Sequence, residues 1–222
     1  MVGVLLDLDG TLVDSNHAIV QAWLEALVEA GIFVHYSDIF ERIGQPVEQS
    51  LPELTGISLH SELGHRLRSR KDEIFFSDYL GRVRAFPGAR DLLDLLSRSS
   101  IPCRAIFPGK KVYAERLLLQ ARLDDLITEL TSADDLVGAE SESDLLNEAI
   151  ATMGFPREKV ALICDTPDDL LNAKRAGVRS IAFACGGWSR ERLVGASAIY
   201  SGPWELVTAF HTSIFAAAAE VA

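Results

Sequence analysis

An apolar run that stops at two aspartates and a glycine opens this chain: Val2-Gly-Val-Leu-Leu-Asp7-Leu-Asp9-Gly10-Thr11-Leu12-Val13-Asp14. A short apolar run bounded by a turn signal reads as a buried strand. Both acids therefore fall at the carboxyl end of a strand, where open α/β sheets carry their chemistry. Side chains two apart in a strand share a face, so Asp7 and Asp9 are expected to aim the same way. Like charges held that close need a cation, a shared proton or a bent backbone. The same letters also serve as a plain strand-ending turn, since Asp-Gly favours turns by itself.

Further strand-like runs fall at 102–107, 127–130, 159–164, 180–184 and, more weakly, 198–200. Helical patterns lie between most of them. The stretch 89–98 follows Pro87-Gly88, and 110–121 repeats apolar residues at helical spacing. Ser143 is placed to cap a helix through Leu145, Leu146 and Ile150. Pro167 suits the first turn of a helix that stops at Gly177. Strands alternating with helices predict a mostly parallel sheet flanked by helices, an α/β fold of Rossmann-like type. The segment 15–85 breaks this rhythm with helical patterns and no strand. The expected division is an α/β core of 1–14 and 86–222, with a helical insertion over 15–85.

With 222 residues, the chain can bury one core plus a small accessory domain. A net charge of -11 leaves no basic excess for phosphate backbones, which argues against a nucleic-acid partner. Three cysteines in or beside apolar runs, Cys103, Cys164 and Cys185, read as reduced thiols of a cytoplasmic protein. No stretch has the pattern of a signal peptide or the length of a membrane span, so no membrane partner is expected. The apolar stretch 213–222 reads as a docking helix. The sequence does not set the oligomeric state.

The string from Asp7 to Ser15 resembles the first motif of the haloacid dehalogenase superfamily, DxDGTLxDS, closest to its phosphoglycolate-phosphatase and phosphoglucomutase-like members. The resemblance implies that Asp7 attacks phosphorus and forms an aspartyl-phosphate, that Asp9 moves protons, and that Mg2+ joins them. Those residue types suit the chemistry: carboxylates accept phosphoryl groups and shuttle protons, and a hard ion favours oxygen ligands. Val160-Ala-Leu-Ile-Cys164-Asp165-Thr166-Pro167-Asp168-Asp169 resembles the last motif, with Cys164 in place of a glycine. The implied metal set is Asp7, Asp9, Asp165 and Asp169, with Asp168 a solvated charge at a helix start. A helical block after the first strand resembles the family's cap, which closes over the site. The implied substrate is a small phosphorylated metabolite.

Two motifs depart from the family. The Ser or Thr that closes the next core strand aligns with Pro108, which offers neither a hydroxyl nor an N–H. The following N–H groups, of Gly109 and Lys110, remain to cradle an anion. The expected lysine aligns with Glu140, and no lysine occurs between Lys111 and Lys159. Lys110 and Arg42, the latter in a cap loop, are the candidate replacement cations and substrate contacts. Lys71, in a highly charged stretch, reads as a surface residue. No histidines show metal-ligand spacing. Four functions stay open: a Mg2+-dependent phosphomonoesterase of weak or atypical activity, a catalytically inert relative that binds or regulates, a phosphomutase, and a true dehalogenase.

Overall fold

The structure is a computed structural model that describes residues 3–136 and 142–216. The chain forms two compact units, one of residues 1–14 and 84–222, the other of residues 15–83.

In chain order the elements are β1 (Gly3–Asp7), β2 (Val13–Asp14), α1 (Asn16–Glu29), α2 (Tyr36–Phe40), α3 (Val47–Thr55), α4 (Glu62–Ile74), β3 (Arg84–Ala85), α5 (Ala89–Arg98), β4 (Cys103–Phe107), α6 (Lys111–Ala121), β5 (Leu130–Ser132), α7 (Glu142–Met153), β6 (Val160–Cys164), α8 (Pro167–Ala176), β7 (Arg179–Phe183), β8 (Ala198–Tyr200) and α9 (Pro203–Ala209). Six strands form one sheet in the order β5-β4-β1-β6-β7-β8, every pairing parallel. This is the expected helix-flanked parallel sheet. The opening run becomes its central strand because apolar residues on both faces suit burial between two helix layers. Val4, Leu5 and Leu6 are all fully buried.

Side-chain alternation decides which way the strand tip points. Leu5 packs with Leu145, Leu146 and Ile150 of α7 and with Leu170 and Ala173 of α8. Asp7 lies two residues further along β1 and so inherits that face. The short antiparallel pair β2–β3 aligns Val13 with Ala85 and Asp14 with Arg84, where the chain leaves and re-enters the unit.

The second unit is helical. Its core holds Val20, Leu27, Ile39, Leu51, Leu59 and Leu67. A π-helical turn at Phe75–Tyr79 and a 3-10 turn at Leu80–Arg82 end it.

Three local readings shift. The strand expected at 127–130 forms at Leu130–Ser132, because Ile127 is drawn into a turn by its N–H bond to the Leu123 carbonyl. Ser143 lies inside α7, which starts at Glu142. Lys71 is not a free surface residue: its ammonium sits 5.5 Å over the Trp23 ring and 2.7 Å from Asp72, with 18% of its side chain exposed. Its aliphatic stem is covered even though its head is charged. Glu140 and most of the 213–222 stretch lie outside the described residues.

Candidate active site

β1, β6 and α8 bring three acids together. Among the described residues, Asp7, Asp165 and Asp169 each offer a carboxylate oxygen within 4.8 Å of the other two. Asp7 ends β1, and Asp165 follows β6, its immediate neighbour in the sheet. Asp169 stands in the first turn of α8. Two separate strand tips therefore converge.

Thr11 ties the cluster. Its hydroxyl lies 3.0 Å from Asp7 Oδ2 and 3.0 Å from Asp165 Oδ1. The turn Leu8–Val13 places it there. Thr11, Leu12 and Val13 all direct their N–H groups at the Leu8 carbonyl, and Gly10 takes φ 76°. That left-handed conformation carries little cost for glycine.

At Asp9 the backbone has left the strand. The strand ends at Asp7, so the two-residue alternation no longer applies at Asp9, which bridges instead to Val13. Asp9 stands outside the three-acid cluster. Its charge still reaches Asp7.

Asp169 is held by a capping box at the start of α8. Its Oδ2 accepts from the Thr166 N–H at 3.2 Å and the Thr166 hydroxyl at 2.6 Å, and the Asp169 N–H returns to Thr166 Oγ1 at 3.1 Å. The sequence signal is Thr166-Pro-Asp-Asp169, a capping residue with an acid three positions on. Asp165 is fully buried. Gly186 lies against it so tightly that a Cβ there would fall 1.9 Å from Asp165 Oδ2.

Burial, and then the charges of Asp169, Asp165 and Asp9, push the Asp7 carboxyl well above the ordinary carboxylate range, against the lowering bond from Thr11. Burial likewise lifts Asp169 to about 6, against its bonds from Thr166. Carboxylates are costly to desolvate. An all-oxygen cluster of this kind fits a hard divalent cation.

Beside Asp7 and Asp169 lies a cavity of about 30 Å³ lined by Pro108, Ile106, Leu145 and Leu146. The surface next to the acids is therefore apolar at Pro108. Gly109 follows under the Phe107 ring, which a Cβ would approach to 2.6 Å. Its carbonyl accepts from the Ala133 N–H at 3.1 Å. Lys110 is the N-cap of α6, with its ammonium 6.0 Å over the Tyr113 ring. In the helical unit, Arg42 donates to the Asp38 carbonyl at 2.9 Å and lies 3.5 Å from Glu53. It also lines a cavity of about 40 Å³ with Trp23, Leu27 and Leu51. Thr11, Thr166 and Gly186 are the contributors whose roles sequence reading left unassigned.

Comparison with known proteins agrees with this architecture. A validoxylamine A 7'-phosphate phosphatase from Streptomyces hygroscopicus subsp. limoneus is 26% identical over 177 residues, covering 78% of this chain and 81% of that protein. A phosphoglycolate phosphatase from Agrobacterium fabrum is 25% identical over 187 residues, covering 82% and 80%. The crystal structure of a hydrolase from Pseudomonas syringae superposes with a TM-score of 0.86 at 27% identity, covering 96% of this chain and 99% of that one. The family described as haloacid dehalogenase-like hydrolase matches residues 4–183. With a match spanning most of the chain and a sheet that gathers acids at its strand tips, this protein belongs to the haloacid dehalogenase-like hydrolase family.

Proposed function

We propose that the protein is a phosphomonoesterase that hydrolyses a small phosphorylated metabolite with Mg2+ as cofactor. The observation that carries this reading is the convergence of Asp7, Asp165 and Asp169 within 4.8 Å, bridged by Thr11. These three acids would hold the ion, which when bound neutralises phosphoryl charge. The phosphatases among the relatives support the class of substrate rather than its identity: one is named for validoxylamine A 7'-phosphate, another for phosphoglycolate.

In this mechanism an Asp7 oxygen attacks phosphorus, and the ester P–O bond breaks. Asp9 gives its proton to the leaving oxygen. Asp9 then takes a proton from water as that water attacks the aspartyl-phosphate, releasing phosphate and restoring Asp7. Asp9 is assigned to proton transfer on the DxDGT motif that the chain shares with the family. Gly109 and Lys110, at the end of β4, are assigned to the phosphoryl group, and Arg42 to the rest of the substrate. The helical unit is assigned the role of a cap that excludes water.

A second reading has its own support. Pro108 puts apolar surface beside Asp7 where the family places a hydroxyl, and Glu140 replaces a lysine. Losing one preorganised donor costs roughly 10²–10³ in rate. A chain that keeps the metal acids for binding alone would show the same cluster. Turnover of p-nitrophenyl phosphate with Mg2+ separates the two. The parent should release nitrophenol and Asp7→Asn should not; equal background release from both sinks the enzymatic reading.

A further inference from the structure

A second concavity, of about 470 Å³ and with none of the three clustered acids in its lining, opens on the α/β unit. One wall is a face of α8 carrying Leu170, Leu171 and Lys174. Their spacing keeps them on one side of the helix. The other wall is the segment 192–197, which contributes Arg192 and Val194. That wall is firmly seated. Leu193 is fully buried, the Ser197 N–H donates to the Ser180 carbonyl at 2.8 Å, and the Arg192 guanidinium lies 5.1 Å over the Trp188 ring.

The lining pairs uncovered apolar surface with positive charge. Leu171 is 43% and Val194 77% exposed. No lining residue is acidic, in a chain with 32 acids against 21 lysines and arginines. Among the described residues, neither Lys174 nor Arg192 enters an ion pair. The α8 dipole favours a cation at Lys174, near the helix end. It does not account for Arg192 across the gap. The volume falls in the range of about 300–1,000 Å³ typical of small-molecule sites.

We propose that this groove binds a small amphipathic organic anion. Its apolar body would lie on Leu170, Leu171 and Val194, and its carboxylate or sulfonate between Lys174 and Arg192. A two-walled concavity suits a small molecule better than a flat protein partner. The site is separate from the proposed chemistry but shares α8 with Asp169.

Three measurements on the full chain test this. The fluorescent probe 8-anilino-1-naphthalenesulfonate should bind, octanoate should displace it, and octylamine should not. The double variant Lys174→Glu, Arg192→Glu should weaken both anions by about ten-fold or more, the scale of lost charge-assisted hydrogen bonds. Both side chains are solvent-facing, and circular dichroism checks that the variant folds. Octanoate added to the parent should shift amide resonances at Leu171, Lys174, Val194 and Gly195, a readout independent of any variant. Unchanged probe affinity in the folded double variant, equal displacement by octylamine, or shifts clustered elsewhere would each overturn the proposal. So would concentration-dependent self-association that covers these amides.

Discussion

At the scale of single residues, the site depends on two small contacts that carry no charge. Thr11 gives Asp7 and Asp165 a shared hydroxyl, and Gly186 leaves room for the Asp165 carboxylate. Asp165 is wholly buried and bonded to Thr11, so a methyl at position 186 has no space to take. Gly186→Ala should cost about 1–3 kcal/mol through overpacking. It should also displace Asp165, so that Mn2+ titration of the folded variant gives weaker binding than in the parent. Parent-like affinity would show that the loop yields instead. Lys110 offers another check. If it supplies the missing cation, Lys110→Ala should lower p-nitrophenyl phosphate turnover by about 10²-fold or more, and a drop of only a few-fold rejects the role. Its ammonium lies over Tyr113, so Tyr113→Leu should release the lysine without abolishing turnover.

At the scale of elements, α8 does two jobs with one motif. Thr166 and Asp169 satisfy the orphan N–H groups at its start, and Asp169 also faces the acid cluster. Loss of an N-cap costs about 0.5–2 kcal/mol. Thr166→Ala should therefore lower stability by about that amount in urea denaturation and weaken divalent-ion binding through the loosened Asp169. A stability loss with unchanged ion affinity would separate the cap from the metal role. Elements were the most legible part of the sequence. The stretches 89–98 and 167–176 match α5 and α8 residue for residue, because Pro87-Gly88 marks the start of α5 and Pro167 and Gly177 mark both ends of α8. β5 starts three residues later than its apolar run, because such a run does not reveal which of its members will turn.

At the scale of the whole molecule, the metal-free cluster works against the fold. Asp169 sits at about 6 and Asp7 well up, against an ordinary value of 3.8. A carboxyl raised in the folded state holds its proton more tightly folded than unfolded. The stability it lends is fully present below the unfolded value and is lost as pH rises through the folded one. For Asp169 that window runs from 3.8 to about 6, and for Asp7 it extends upward from 3.8. A divalent ion relieves the repulsion but competes with the same protons. Millimolar MgCl2 should therefore raise the melting temperature more at about pH 8 than at about pH 5. Equal shifts in a thermal-melt series would exclude the cluster as the binding site.

Legible in the residues alone were the parallel sheet, the placement of Asp7 at the tip of a buried strand, and the second acid string that holds Asp165 and Asp169. Those features are local: apolar runs, turn residues and capping pairs report on their immediate neighbours. The folded structure alone shows that Thr11 reaches across 154 positions to Asp165 while also touching Asp7, and that Gly186 must lack a side chain. It also decided that α8 presents an uncovered cationic groove on its other side. Contacts between distant segments depend on sheet order and loop path, and no short stretch of residues encodes either.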